Sequence, residues 1–435
     1  MDRTIVGVIL LSVFATGLTI PPAFADAAWD ACLNAPKRAC VFDEALRVGQ
    51  TVVDGAPRAG ALANLARWEA YAGFADAAAV RQRAMQAARS VDKDSDREDA
   101  LAAIAEAAGS AGAPAEAMQI AQSIKGARAR NEALVAAAMG QNKSGLAKEA
   151  GETFATAIAS ARSLESATDR LLALLWIARE QGREGLASEA QTTLGLTLQI
   201  AQSEEPGFAR PDDLALVSSA QLAVGEIDNA LRIARTIDDA SRRAHEFGAI
   251  AEALAKAGRL PEALEVVSAV EMGRPRATAL TTIAEAQAKA GLAKEATDNF
   301  EQAHQAALAA PMPLDRAWAM SRVAAALAGA GLEKKSTAEF TMARQNAKAV
   351  DFEPSRNLAL SLVSGNLAES GDAAGATELA RSISDTMSRA QALATIAFTQ
   401  LKAGNASEGL RTTQAIEDAG VRVAALARIA ESLPN

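Results

Sequence analysis

The sequence predicts an all-α fold, a solenoid of stacked helix-turn-helix units, and three observations carry that prediction. Arginine recurs at Arg58, Arg97, Arg130, Arg170, Arg210, Arg243, Arg276, Arg316, Arg356, Arg389 and Arg422. Fifteen residues after each of the first ten stands a glycine: Gly73, Gly112, Gly145, Gly185, Gly225, Gly258, Gly291, Gly331, Gly371 and Gly404. Glycine is only 29 of 435 residues, so this is not coincidence, and a fixed period of this length marks a repeat architecture. The chain is alanine-rich with only 4% aromatic residues, which suits closely packed helices, and strand-like runs of Val, Ile and Thr are absent.

Take Arg276 as offset zero. Leu280 then lies at +4, Ile283 and Ala284 at +7 and +8, Gly291 at +15 and Ala296 at +20. Small or apolar residues at +4, +7, +8 and usually +11 share one face of a helix with a 3.6-residue period, which predicts a first helix, A. Glycine at +15 supplies the positive φ that ends it. The residue at +20, alanine in eight of ten units, lets a second helix, B, approach closely. One such hairpin cannot bury its apolar face alone, so neighbouring units must stack to complete a core.

Successive arginines are 39, 33, 40, 40, 33, 33, 40, 40, 33 and 33 residues apart. The two classes differ by about seven residues, nearly two turns, so the extra residues lengthen helix B by roughly 10 Å without rotating its apolar face much. The order long, long, short, short recurs with a period of 146, and identity follows it. Gly145–Ala150 and Gly291–Ala296 are both GLAKEA, and Asp169-Arg170 matches Asp315-Arg316. A four-unit block is duplicated, with copies at 130–275 and 276–421 of a repeat array spanning 58–435, about eleven units.

Residues 1–25 read as a signal peptide. Arg3 precedes an apolar run from Thr4 to Ile20, Pro21 and Pro22 break it, and Ala23-Phe24-Ala25 is a small-x-small cleavage signal before Asp26. The mature chain is therefore expected in a periplasm, or outside the cell where no outer membrane retains it, with no stable membrane insertion after cleavage. Cys32 and Cys40 are the only cysteines, and an even pair in an oxidising compartment reads as a disulfide rather than a redox or zinc site. Ala45 and Val52 precede Arg58 by 13 and 6 residues, as Ala117 and Ile124 precede Arg130. Residues 26–57 are thus expected to form a shortened first unit, a capping hairpin stapled by the disulfide because it lacks a neighbour on one side.

In the Arg276 unit, leucine at +4, Ile at +7, Ala at +8, Gly at +15, Ala at +20, Phe300 at +24 and Ala303 at +27 resemble the tetratricopeptide repeat. The resemblance covers nearly all of the mature chain. It departs from the family in its periods of 33 or 39 to 40 residues, and in lacking bulky aromatics at most A-helix positions. It implies a right-handed superhelix whose A helices line a concave groove, and a scaffold or adaptor role.

The arginine at offset zero admits two readings. An N-cap candidate directly precedes it in several units: Asp96, Asp169, Asp315, Ser355 and Ser388. Its side chain then reaches back to unpaired carbonyls, or to acids, at the end of the preceding helix B. Otherwise the row faces solvent and binds an extended anion. The family geometry turns offsets +2, +5, +9, +12 and +13 into the groove. Position +13 carries Lys143, Arg183, Lys256, Lys289 and Lys402, whereas +9 carries Arg179 beside Glu106, Glu252, Glu285 and Glu431. Trp318 at +2 reads equally as an exposed anchor for a partner and as packing beneath the next unit.

Catalytic patterns are missing. His245 and His304 lie in different units without metal-ligand spacing, and the regular glycines are turn residues rather than a phosphate loop. No enzyme activity, cofactor or metal is expected. A net charge of −9 offers no basic excess for nucleic acid. The resulting expectation is a non-catalytic scaffold for a protein or peptide partner, with binding of a polyanionic or glycan polymer through the arginine and lysine rows as the alternative.

Overall fold

The computed structural model describes residues 22–52, 55–74, 76–202, 210–271 and 273–434. Most of the expected signal peptide, Met1–Pro21, lies outside them. All ten offset +15 glycines have positive φ, from 68° to 97°. They form Schellman turns, in which Leu292 N donates to Gln287 O at 2.9 Å and Gly291 N to Ala288 O at 3.1 Å. The chain between these turns is helical, and the described residues contain 23 helices and no strand.

Helices α1 (Pro22–Asn34) and α2 (Arg38–Thr51) come first among the described residues. The A helices follow at odd numbers: α3 (Gly55–Tyr71), α5 (Asp94–Ser110), α7 (Ala127–Lys143), α9 (Ala167–Arg183), α11 (Arg210–Ala223), α13 (Ala240–Lys256), α15 (Arg274–Lys289), α17 (Pro313–Gly329), α19 (Glu353–Glu369), α21 (Thr386–Lys402) and α23 (Ala419–Ser432). The B helices alternate with them: α4 (Ala77–Arg89), α6 (Pro114–Ser123), α8 (Ala147–Arg162), α10 (Ala187–Ala201), α12 (Ile227–Ala234), α14 (Leu260–Ser268), α16 (Ala293–Leu308), α18 (Glu333–Lys348), α20 (Ala373–Arg381) and α22 (Ala406–Gln414).

Helix B absorbs the seven-residue difference between units. In the two duplicated blocks, α8, α10, α16 and α18 have 16, 15, 16 and 16 residues, whereas α12, α14, α20 and α22 have 8, 9, 9 and 9. The +20 position is buried in every unit but the first, where Ala78 is exposed. Ala230, Ala263 and Ala376 are fully buried, and a Cβ on Gly409 at the same position would stand 2.7 Å from the carbonyl oxygen of Ala397 on its A helix.

Helix A begins earlier than the sequence pattern suggests. In most units its N-cap stands four residues before the arginine, and at four of these positions Ser166, Asp239, Asp385 and Asp418 accept bonds from the backbone N–H groups of Asp169, Arg242, Ser388 and Val421. The expected caps Asp96, Asp169, Asp315, Ser355 and Ser388 lie inside the first turn instead. There the acids among them complement the helix dipole.

Every A helix packs against the A helices before and after it, while each B helix packs on its own A helix and the next. The A helices therefore occupy the inner, shorter arc and the B helices the outer one. The arc closes: α23 packs against both α2 and α3. Val41, Phe42, Leu46 and Val48 of α2 share one buried cluster with Val423, Leu426 and Ile429 of α23 and with Leu433. Ala45, fully buried, takes the role of the +20 alanine. The eleventh unit thus takes its A helix from one end of the array and its B helix from the other.

This closure corrects the expectation of a free end at 26–57. Helix α2 has α23 as its neighbour, and α1 packs across the B helices α2 and α22. Arg38 binds the seam together. Its backbone N–H donates to Pro434 O at 3.2 Å, and its guanidinium donates to Glu431 O at 3.2 Å and Ala72 O at 3.1 Å. The Cys32–Cys40 disulfide ties α1 to the start of α2 beside this seam.

Candidate binding surface on the inner wall

Eleven helices spaced 8–10 Å apart around a circle leave an opening on the order of 20 Å across after subtracting one helix diameter. The side chains facing it are set by helical phase. Offsets +2, +6, +9 and +13 are separated by four, three and four residues and share one face, exposed in many units although Ala136, Met139 and Thr282 on it are buried. Leu172 and Leu358 at +2, Leu216 at +6, Arg179 at +9, and Tyr71, Arg183, Lys256 and Lys289 at +13 are all exposed. The expected groove offsets +5 and +12 lie roughly 70–90° away at 100° per residue, and they pack between A helices instead. Val135, Thr281 and Ser321 at +5 are fully buried, and Asn366 of α19 donates to Ser321 Oγ of α17 at 2.7 Å.

The arginine ladder turns away from solvent. Arg97, Arg170, Arg243, Arg276, Arg316, Arg356 and Arg389 each donate from Nη1 to the carbonyl six residues earlier, at the end of the preceding B helix. Several add the next carbonyl, as Arg316 does with Pro311 O at 3.0 Å. Carbonyls left open where helix B ends thereby gain charge-assisted donors. The reading of these residues as a solvent-facing row is corrected accordingly.

The +13 cations are mostly engaged with neighbours. Lys143 stands 3.7 Å from Glu184 and 5.0 Å from the centroid of the Tyr71 ring. Arg179 and Arg183 share Glu180 at 3.2 and 3.1 Å, and Lys256 lies 3.7 Å from Glu252. Lys289 is exposed and makes no ion pair among the described residues. These residues occupy different stretches of the wall and do not converge on one point.

Trp318 is half-buried on the wall, with the Arg274 guanidinium 4.3 Å from its ring centroid. Beside it opens a cavity of about 830 Å³ near the N-terminal ends of α13 and α15. Its lining includes Arg242, Arg243, His245, Glu246, Phe247, Arg274 and Asp315. Arg274 pairs with Asp315 at 2.8 Å, and Arg242 pairs with Asp212. Partial desolvation, then the nearby Arg274 and Arg242, hold His245 below the usual imidazole range. Glu246 is only 3% exposed; burial raises its pKa, and the Ser219 hydroxyl lies 3.2 Å from both carboxylate oxygens.

Sequence reasoning treated His245 as an isolated imidazole. The cavity draws on offsets −2, −1, +2 and +3 of successive units, a grouping that appears only once the units are stacked. His304 lies elsewhere, on α16, paired with the largely buried Glu339 of α18.

No family model and no curated protein matches the chain. Among solved structures, Ton1535 from Thermococcus onnurineus NA1 aligns at 16% identity and a TM-score of 0.30, over 80% of this chain and 94% of that one. The APC/C hetero-tetramer Cut9-Hcn1 aligns at 12% and 0.27, over 97% and 98%. A circular tandem repeat protein with novel repeat topology aligns at 13% and 0.18, over 91% and 92%. Overlaps this loose transfer neither fold nor function. The chain's own hairpins and turns define it as an all-α, tetratricopeptide-like helical-repeat array.

Proposed function

We propose that the chain is a non-catalytic, ring-shaped scaffold that is exported to a periplasm and holds a protein or peptide partner against its inner wall. The closure carries this reading, because it turns the exposed lines of eleven A helices toward one opening. A partner there meets exposed Leu172, Leu216, Leu358 and Tyr71 set among charged groups, the mixture of apolar anchors and polar surroundings that protein recognition uses. Export is supported by the leader-like residues 1–25 and by the Cys32–Cys40 bridge, which persists in oxidising compartments. Polyanion binding has less support, since the ladder arginines are turned to carbonyls and most +13 cations have acidic neighbours.

A photo-crosslinking residue at Leu172, with one at Arg232 on the outer helix α12 as control, tests the reading in the exporting cell. A discrete protein adduct is expected from position 172 only. Adducts from 232 alone would move the binding surface to the outside of the ring.

A further inference from the structure

The cavity beside Trp318 gathers charges that already compensate one another. Arg274 is paired with Asp315 and stacked on Trp318, and Arg242 is paired with Asp212. Arg243 is turned to the carbonyls of Ile237 and Asp238. The lining thus holds three guanidiniums together with the carboxylates of Asp239, Glu271 and Asp315 and the buried Glu246, whose pKa burial raises. An anionic ligand finds no surplus cation, and an apolar one would strand these polar groups without water.

A ligand rich in hydroxyls fits both constraints. Each hydroxyl donates one bond and accepts two, so adjacent hydroxyls bridge a guanidinium and a carboxylate without changing the net charge. The C–H face of a sugar ring also packs on an aromatic surface, which Phe247 supplies in the lining, while Trp318 lies behind the Arg274 guanidinium. We propose that this cavity binds a neutral oligosaccharide, its hydroxyls spanning the Arg274–Asp315 pair and His245 and one sugar face lying against Phe247. The site is independent of the protein-scaffold reading, and its test requires no protein partner.

The full mature ring is titrated with chito-, cello- and malto-oligosaccharides and, separately, with polygalacturonate, by calorimetry and tryptophan fluorescence at low and high salt. The expected result is saturable binding of at least one neutral sugar, with a fluorescence change and no dependence on salt. Asp315→Asn and the surface variant His245→Ala should each weaken it by about tenfold or more, with unchanged circular dichroism, while Lys289→Ala has no effect. Absence of binding by all three neutral sugars overturns the proposal. So does capture of polygalacturonate alone with loss at high salt, or unaltered sugar affinity in both cavity variants.

Discussion

Arg422 Nη2 lies 3.0 Å from Glu44 Oε1, a pair separated by 378 residues of sequence. Glu44 is buried and also accepts from Arg47 at 2.6 and 2.7 Å. Breaking such a pair leaves a desolvated charge without compensation, so Glu44→Ala is expected to destabilise the protein by about 3 kcal/mol. Hydrogen exchange should quicken in α2 and α23 together. Loss of protection in α2 with α23 unaffected would contradict the closure.

Gly258 sits at φ 77°, and nothing lies within 4 Å of where its Cβ would be. Substitution there tests backbone strain alone. Gly258→Val should lower stability by about 1–3 kcal/mol, whereas Gly258→Asn should cost clearly less because asparagine tolerates the left-handed region. Equal melting temperatures for the two variants would remove the strain argument.

Two other glycines should respond in opposite directions. A Cβ on Gly109 would stand 2.1 Å from the Ala136 carbonyl oxygen, so Gly109→Ala must push α5 and α7 apart and is expected to destabilise by about 2 kcal/mol or more. Gly151 lies exposed within α8 with open space around it, and Gly151→Ala should stabilise by roughly 0.5–1 kcal/mol. Thermal unfolding of both variants checks the contrast.

Glu69 is 3% exposed, and its pKa is raised to about 8, first by burial and then by Asp76 and Asp43, against a lowering from Arg83. The folded pKa lies above the unfolded one, so the folded state holds the proton more tightly. The stabilisation is complete below about pH 4.5 and is lost as pH rises through about 8. Wild-type melting should therefore fall relative to Glu69→Gln across that window. A constant difference between the two would mean that Glu69 is already ionised in the folded ring.

Reduction of Cys32–Cys40 frees a short loop and should cost about 2–3 kcal/mol on the chain-entropy account. The bridge joins α1 to α2. Hydrogen exchange should therefore quicken around these helices and the seam, while α13 to α19 keep their protection. Uniform loss around the ring would assign the bridge a global role.

What the sequence made legible was whatever repeats in each unit. Gly258 and its equivalents forecast the turns, the 40-residue intervals forecast the long helices α8, α10, α16 and α18, and one of the two readings of Arg316 and its equivalents forecast the bonds to helix-B carbonyls. The closure was not legible, because it depends on a small rotation between neighbours summed over eleven units. No single unit records that rotation. The +5 and +6 positions were exchanged for a related reason: the tetratricopeptide geometry applies to an open groove, whereas here close A-helix neighbours bury Val135, Thr281 and Ser321. The His245 cavity escaped notice because its groups come from four units.

The seam within the eleventh unit also bears on how the molecule is made. Helix α2 (Arg38–Thr51) leaves the ribosome long before the helix that covers Val41, Phe42 and Leu46, since α23 begins only at Ala419. Until α23 arrives, a nascent or truncated chain carries an uncovered apolar face, and joining the two ends must overcome the entropy of a very long loop. Completion of the ring therefore waits for the synthesis of α23. Chains lacking α23 would remain recognisable to proteases and chaperones by that face.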